Sequence, residues 1–219
     1  MMKRILLGAA ALLLVAAIVL AVAIWQLVSP TEGSPIAPES NGTSLVVVDI
    51  QRDYTGADAK KPFRDALAII NNTNRLIRRA RERGWSVVFI RNEVADDVFH
   101  RLTSGGTTVA GTVGAQMDER LERIPGLAEF PKSQADAFSN SAFDRHLRAN
   151  EIGRVVITGL DAAYCVKATT GGALNRGYQV TVVGDAIATE SSTPISKLLE
   201  DYRQAGAATA TTDAILAQK

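Results

Sequence analysis

The chain of 219 residues carries one cysteine, Cys165, and two histidines, His100 and His146. A single thiol excludes an intramolecular disulfide, a thiolate-built zinc site and a paired-cysteine redox centre. Two imidazoles exclude a three-histidine metal site, and no HExxH sequence occurs. Nucleophilic chemistry here has to work without a rich set of imidazoles. A thiol becomes a nucleophile when a base takes its proton, and a nearby ammonium stabilises the thiolate. Asp49 and Lys132 supply an acid and a cation, provided that the fold brings them to the thiol.

The elements that would do so are legible from Leu45 onward, where short β-branched runs alternate with longer helical stretches. Leu45-Val46-Val47-Val48 is a continuous apolar run, as expected of a strand buried on both faces. A helix is predicted over Pro62 to Arg83, with Leu67, Ile70, Asn74 and Ile77 along one side and Gly84 as its stop. Further strands are expected at Trp85 to Ile90, Ala128 to Lys132, Arg154 to Thr158, Gln179 to Val183 and Ala207 to Thr211. Helices are expected over Ser141 to Ala149, Tyr164 to Arg176 and Pro194 to Ala205. This alternation implies right-handed crossovers and a three-layer α/β/α domain around a mostly parallel six-stranded sheet.

In such folds ligands bind beyond the carboxyl ends of the strands. The rule nominates Asp49 to Tyr54 after the first strand, Lys132 after the third and Gly159 to Cys165 after the fourth. Cys165 also opens a helix, where backbone N–H groups and the helix dipole lower a thiol's pKa. Each residue has a plain structural reading as well: a packed cysteine, an aspartate ending a turn, a solvated lysine. The segment Asn92 to Met117, with Gly105, Gly106, Gly111 and Gly114 among Ser and Thr, reads as a loop or lid over the same edge. Its glycines lack GxGxxG spacing after a strand, and no GxxxxGK[ST] sequence exists.

Ahead of this domain, Ile5 to Val28 is an apolar run interrupted only by Gly8 and Gln26, preceded by Lys3 and Arg4. It exceeds the roughly 20 residues needed to cross a bilayer, and Trp25 stands where an interfacial aromatic would sit. Residues 1–28 are therefore expected to form a transmembrane signal anchor, with a cleaved signal peptide as the alternative because Ala21-Val22-Ala23 fits a cleavage site. The basic start places the remainder outside the cytoplasm, periplasmic or extracellular, and secreted if the leader is cleaved. Residues 29–44, rich in Pro, Gly, Ser and Thr, are expected to be a flexible linker to a domain over 45–219. Hydrophobic residues make up 47% and charged residues 21%, which excludes wholesale disorder and a multi-span membrane protein. Beyond Lys3 and Arg4 the chain holds 22 basic against 23 acidic residues, a balance that excludes a nucleic-acid-binding surface.

At the nominated residues the sequence resembles the isochorismatase-like cysteine hydrolases, the superfamily that includes nicotinamidase and N-carbamoylsarcosine amidohydrolase. The matches are Leu45 to Tyr54, an apolar strand ending in an Asp-x-Gln-x-Asp turn; Lys132 followed by Asp136-Ala137-Phe138; and Val156 to Val166, continued by Ala173 to Val180 and Gly184-Asp185-Ala186. Thr211-Thr212-Asp213 fits as well, so the similarity runs from residue 45 to the end. The resemblance implies Asp49 as general base, Lys132 as orienting cation and Cys165 as nucleophile. It also implies a non-proline cis peptide at Leu160-Asp161, with the backbone amides of Asp161 and Cys165 as the oxyanion hole.

Cleavage of a C–N bond in a small amide or ureido substrate through a thioester follows, with a homo-oligomer as the expected state. No cofactor is expected. Nicotinamidases carry a metal site with an Asp-x-His pair and a further His, whereas residues 50–84 here contain no His, so no metal is expected either. Tyr54, Phe138 and Tyr164 are candidate walls of the substrate pocket. His100 falls in the lid segment and His146 on the polar side of a helix. The alternatives are a vinyl-ether hydrolase of the isochorismatase kind, which needs the acid but no thiol, and a non-enzymatic oligomerising or binding module on the same fold. A redox role for the thiol lacks a resolving cysteine.

Overall fold

The computed structural model describes residues 2–218. After α1 (Met2–Val28) the chain runs through β1 (Gly42–Val48), the one-turn α2 (Arg52–Thr55), α3 (Ala66–Glu82), β2 (Ser86–Asn92) and α4 (Val98–Thr103). Then follow β3 (Ala128–Lys132), α5 (Ser141–Ala149), β4 (Ile152–Gly159), α6 (Cys165–Asn175), β5 (Gln179–Ile187), α7 (Ile195–Gln204), β6 (Ala208–Ala210) and α8 (Thr212–Ala217). The six strands form one sheet in the order β3-β2-β1-β4-β5-β6, and every pairing is parallel.

The apolar run of β1 explains the layering. Alternate side chains of a strand point to opposite faces. Leu45 and Val47 join the core that contains Ile69, Ile70, Leu76 and Ile77 of α3, while Val46 and Val48 join Phe143 and Leu147 of α5 and Val166 of α6. All four β1 residues are at most 1% exposed, and each buried aliphatic side chain contributes about 1.5–3 kcal/mol. On α3 the buried stripe is Ile69, Ile70, Thr73, Leu76, Ile77 and Ala80, the spacing of one helical face. Leu67, expected on that face, is 63% exposed instead, because at about 100° per residue it points away from the stripe centred on Ile69, Thr73, Leu76 and Ala80. Gly84 ends the helix in a left-handed conformation at φ 64°.

Two expectations for the leader are corrected. The backbone from Met2 to Val28 is one helix, but among the described residues no helix is long and apolar enough to cross a membrane, so the transmembrane anchor is not supported. The side chains of residues 1–11, 13, 23 and 24 lie outside the described set.

Residues 29–41 are not a free linker either. Asp136, fully buried, accepts hydrogen bonds from the Thr31 amide (2.7 Å) and hydroxyl (2.6 Å). The buried Arg176 guanidinium donates to the carbonyls of Thr31 (3.0 Å) and Glu32 (2.8 Å), and the Ile36 amide donates back to the Arg176 carbonyl (2.8 Å). The Ala135 amide donates to Leu27 O at 2.8 Å, so the chain is fastened from the end of α1 onward. A Pro- and Gly-rich segment cannot build its own core, yet its unpaired backbone groups are good partners for buried charges on a finished domain. Thr31→Val should therefore lower stability by about 1–2 kcal/mol through loss of the hydroxyl bond to Asp136. A urea midpoint indistinguishable from wild type would return the segment to the status of a passive tether.

Candidate active site

The chain order of the sheet creates the site. From β1 the chain passes to β2 and β3 on one side and only then returns to β4 on the other, so connections diverge above the carboxyl ends of β1 and β4. At that crevice Asp49 leaves β1 in the left-handed region at φ 53°, a conformation aspartate tolerates better than most residues, and its amide donates to Ile90 O at 2.8 Å. Cys165 enters the crevice from β4 as the first residue of α6. The Leu160-Asp161 peptide before it is cis. Lys132 is the last residue of β3, two strands from β1, and its long side chain spans the end of β2.

The three residues singled out from the sequence meet. Lys132 Nζ stands 2.8 Å from Asp49 Oδ2 and 3.2 Å from Cys165 Sγ. The lysine side chain is 0% and the aspartate side chain 3% exposed. Burial pushes the Asp49 pKa up, against the pull of the adjacent ammonium. Burial would draw Lys132 down, but the neighbouring carboxylate and thiol outweigh it, and the lysine stays protonated. The Cys165 thiol is pushed up to about 12 by burial; Lys132 lowers it and Asp49 raises it. Oδ2 is committed to Lys132, whereas Asp49 Oδ1 is buried with no hydrogen-bond donor. An orphaned buried oxygen beside a neutral thiol is the group placed to take a proton.

The isochorismatase domain, as a sequence family, matches residues 43–214. The chain belongs to the isochorismatase family. Among its curated relatives, the uncharacterized isochorismatase family protein YrdC of Bacillus subtilis is 28% identical over 147 residues, covering 66% of this chain and 73% of the relative. The ureidoacrylate amidohydrolase RutB of Variovorax paradoxus is 26% identical over 185 residues, covering 73% of each. The crystal structure of N-carbamoylsarcosine amidase from Thermoplasma acidophilum superposes with a TM-score of 0.70 at 27% identity, covering 79% of this chain and 98% of that one. These likenesses make the protein an isochorismatase-family hydrolase, and they agree with the three-layer parallel fold.

The cavity at this crevice measures about 340 Å³, with Asp49 and Cys165 in its lining. Tyr54 and Tyr164 line it as expected, Tyr164 being 56% exposed at the mouth. Phe138 does not. It packs in the core 4.8 Å from the ring of Phe143 and 5.7 Å from that of Tyr178, with the Arg176 guanidinium 4.6 Å from its centroid. The aromatic that reaches the cavity is Phe63, whose ring meets Tyr54 edge-on at 5.9 Å. It arrives there because the chain folds back after α2, the Phe63 amide donating to Tyr54 O at 2.9 Å. Lys61, Glu190 and Ser191 complete the rim. Glu190 and Ser191 follow β5, so the sheet-edge rule extended to that strand finds them; no local pattern marks Lys61 or Phe63.

Asp161, named for its backbone, also works through its carboxylate. It accepts from the Ala163 amide (2.7 Å), Thr189 Oγ1 (2.6 Å) and the Glu190 amide (3.1 Å), tying the turn before Cys165 to the loop after β5. The Cys165 amide, at the first position of α6, has no carbonyl ahead of it within the helix. His100 is half-buried with its ring 2.7 Å from Asp97 and is not part of the cavity lining. His146 is half-buried 5.4 Å from the Phe130 ring, with its pKa lowered by burial, so the solvent-facing position read from the helix pattern is corrected. Among the described residues no three His, Cys, Asp or Glu side chains converge as a metal site.

Proposed function

We propose that this hydrolase is a cysteine-dependent amidohydrolase that cleaves the C–N bond of a small amide or ureido substrate through a thioester. The observation that carries the reading is the convergence of Cys165, Asp49 and Lys132 at an open cavity, with one carboxylate oxygen unengaged. Asp49 Oδ1 takes the thiol proton as Cys165 Sγ attacks the substrate carbonyl. The tetrahedral oxyanion is received by the amides of Asp161 and Cys165, donors fixed before the reaction starts. Asp49 returns its proton to the leaving nitrogen, the C–N bond breaks, and ammonia or an amine departs. A water deprotonated by Asp49 then adds to the thioester, and collapse expels the thiolate, which is reprotonated by the same carboxyl. The raised Asp49 pKa allows that carboxyl to hold the proton between steps, and protonated Lys132 keeps the thiolate from being stranded in a dry site.

Vinyl-ether hydrolysis would use the acid without a nucleophile. The 3.2 Å contact between Lys132 Nζ and Cys165 Sγ favours the thiol route, since that contact stabilises a thiolate. A panel of primary amides and ureido compounds assayed for ammonia release tests the reading, with the variants discussed below. Placement of the domain outside the cytoplasm is part of the same proposal and rests on the leader's sequence, in which Lys3 and Arg4 precede the apolar run. A reporter fused after residue 44 should work only beyond the membrane; activity confined to the cytoplasm sinks that placement.

A further inference from the structure

The turn Asp49-Ile50-Gln51-Arg52-Asp53 contributes Asp49 to the chemistry above and leaves Gln51 without a task. Gln51 is 0% exposed, an unusual position for an amide side chain, and its polar atoms are fully engaged. Oε1 accepts from the Asn92 amide at 2.8 Å, while Nε2 donates to Asn92 O at 2.9 Å and to Ala115 O at 2.6 Å. The β1–β2 ladder runs out at Val48 and Ile90, because β1 turns away at Asp49. Two residues later, Asn92 has lost its main-chain neighbour on that side. The Gln51 carboxamide replaces it, offering one acceptor and one donor as a strand would.

What Asn92 does next makes the substitute matter. Asn92 is the register partner of Lys132 at the end of β3, and the Glu93 amide donates to Lys132 O at 2.7 Å. The Gln51 main-chain amide itself donates to Asp49 O at 2.9 Å. Gln51 thus joins the three strand ends that present Asp49, Asn92 and Lys132. The same turn fastens the far part of segment 92–117, through Ala115 O and through Asp53 Oδ2, which accepts the Thr108 amide at 2.7 Å. Asn92 Nδ2 closes the ring by donating to Thr108 Oγ1 at 2.8 Å.

We propose that Gln51 is a positioning residue of this site, its side-chain amide standing in for the absent continuation of β1 and holding Asp49 in register with Lys132. The inference rests on the proposed role of the Asp49, Lys132 and Cys165 group. A satisfied buried network specifies one arrangement, and a catalytic group displaced by about 1 Å loses on the order of 10²-fold in rate.

The test uses the full chain and reads alkylation of Cys165 by iodoacetamide, followed by intact mass; one cysteine means one adduct. Gln51→Met keeps length and volume but none of the bonds. It is expected to fold, by circular dichroism and thermal melting, and to alkylate about tenfold or more slowly than wild type near neutrality. The gap should close in alkaline solution, where hydroxide forms the thiolate without Asp49. Gln51→Glu keeps the acceptor and regains a donor only when protonated, so its rate relative to wild type should recover as pH falls. Wild-type rates in a folded Gln51→Met chain, a Gln51→Glu ratio that does not move with pH, or failure of both variants to fold would each overturn the proposal, the last by making Gln51 a residue of the core. Alkylation needs no substrate, so this outcome is separate from the Cys165→Ala assay that decides the reading beneath it.

Discussion

Cys165→Ala is expected to lower hydrolysis of any accepted amide by about 10³-fold or more, the scale on which loss of a covalent nucleophile acts. No second thiol exists to replace it, and alanine leaves Asp49 and Lys132 facing a small void that can at best hold a water. Asp49→Asn should fall to within about tenfold of the alanine variant, because nucleophile and base act as one unit and their losses do not add. The pH dependence carries the sign of the Asp49 shift. Burial raises that carboxyl above the usual carboxylate range, so kcat/KM drops as pH falls through the raised value and Asp49 enters the cycle already protonated. With the thiol pushed up to about 12, no further rise is expected across the range where an exposed thiol, near about 8.5, would ionise. Activity of Cys165→Ala comparable to wild type, measured by ammonia release under single-turnover conditions, would defeat the thioester mechanism.

Lys132→Met should be the most destabilising single change at the site. The Lys132–Asp49 pair is buried on both sides, and removing one partner of such a pair costs about 3–5 kcal/mol because the remaining charge is left without compensation. Stability depends on pH in a direction that can be worked out. A carboxyl whose folded pKa is raised is tolerated fully when protonated, below its unfolded pKa, and is penalised as pH rises toward the folded value. Deleting the ammonium removes the pull that opposes burial, so the penalty at neutral pH grows and the deficit of the variant should narrow as the solution is acidified. Urea titrations of both chains at neutral and mildly acid pH read this directly. Equal midpoints at neutrality would mean that the pair contributes nothing to the fold. Hydrolysis by the variant should fall about 10²-fold or more, the loss that follows removal of one electrostatic stabiliser.

The strands and the meeting of Asp49, Lys132 and Cys165 were legible because their signals are local. Leu45 to Val48 is apolar at every position, which only a strand covered on both faces requires, and β3 and α5 take up the residues expected of them. Asp49, Lys132 and Cys165 each stand at the end or the start of an element, so the order of elements and the handedness of their crossovers bring them to one edge. Phe138 misled because its position beside a matching Lys–Asp–Ala–Phe spacing says nothing of which way its ring turns; Phe143 of α5 and Arg176 and Tyr178 of the turn between α6 and β5 hold it in the core.

By itself, then, the sequence determined the class of fold and brought Asp49, Lys132 and Cys165 to one edge of the sheet, since periodicity and chain order are written in neighbouring residues, while their roles came from the family resemblance. Only the tertiary structure decided that residues 29–41 are fastened to Asp136 and Arg176, that Phe63 and not Phe138 reaches the cavity, and that Gln51 continues a strand with its side chain. The physical reason is the same in each case. The partners belong to other elements of the chain, and whether a polar or aromatic group finds them depends on which surfaces packing has already brought together.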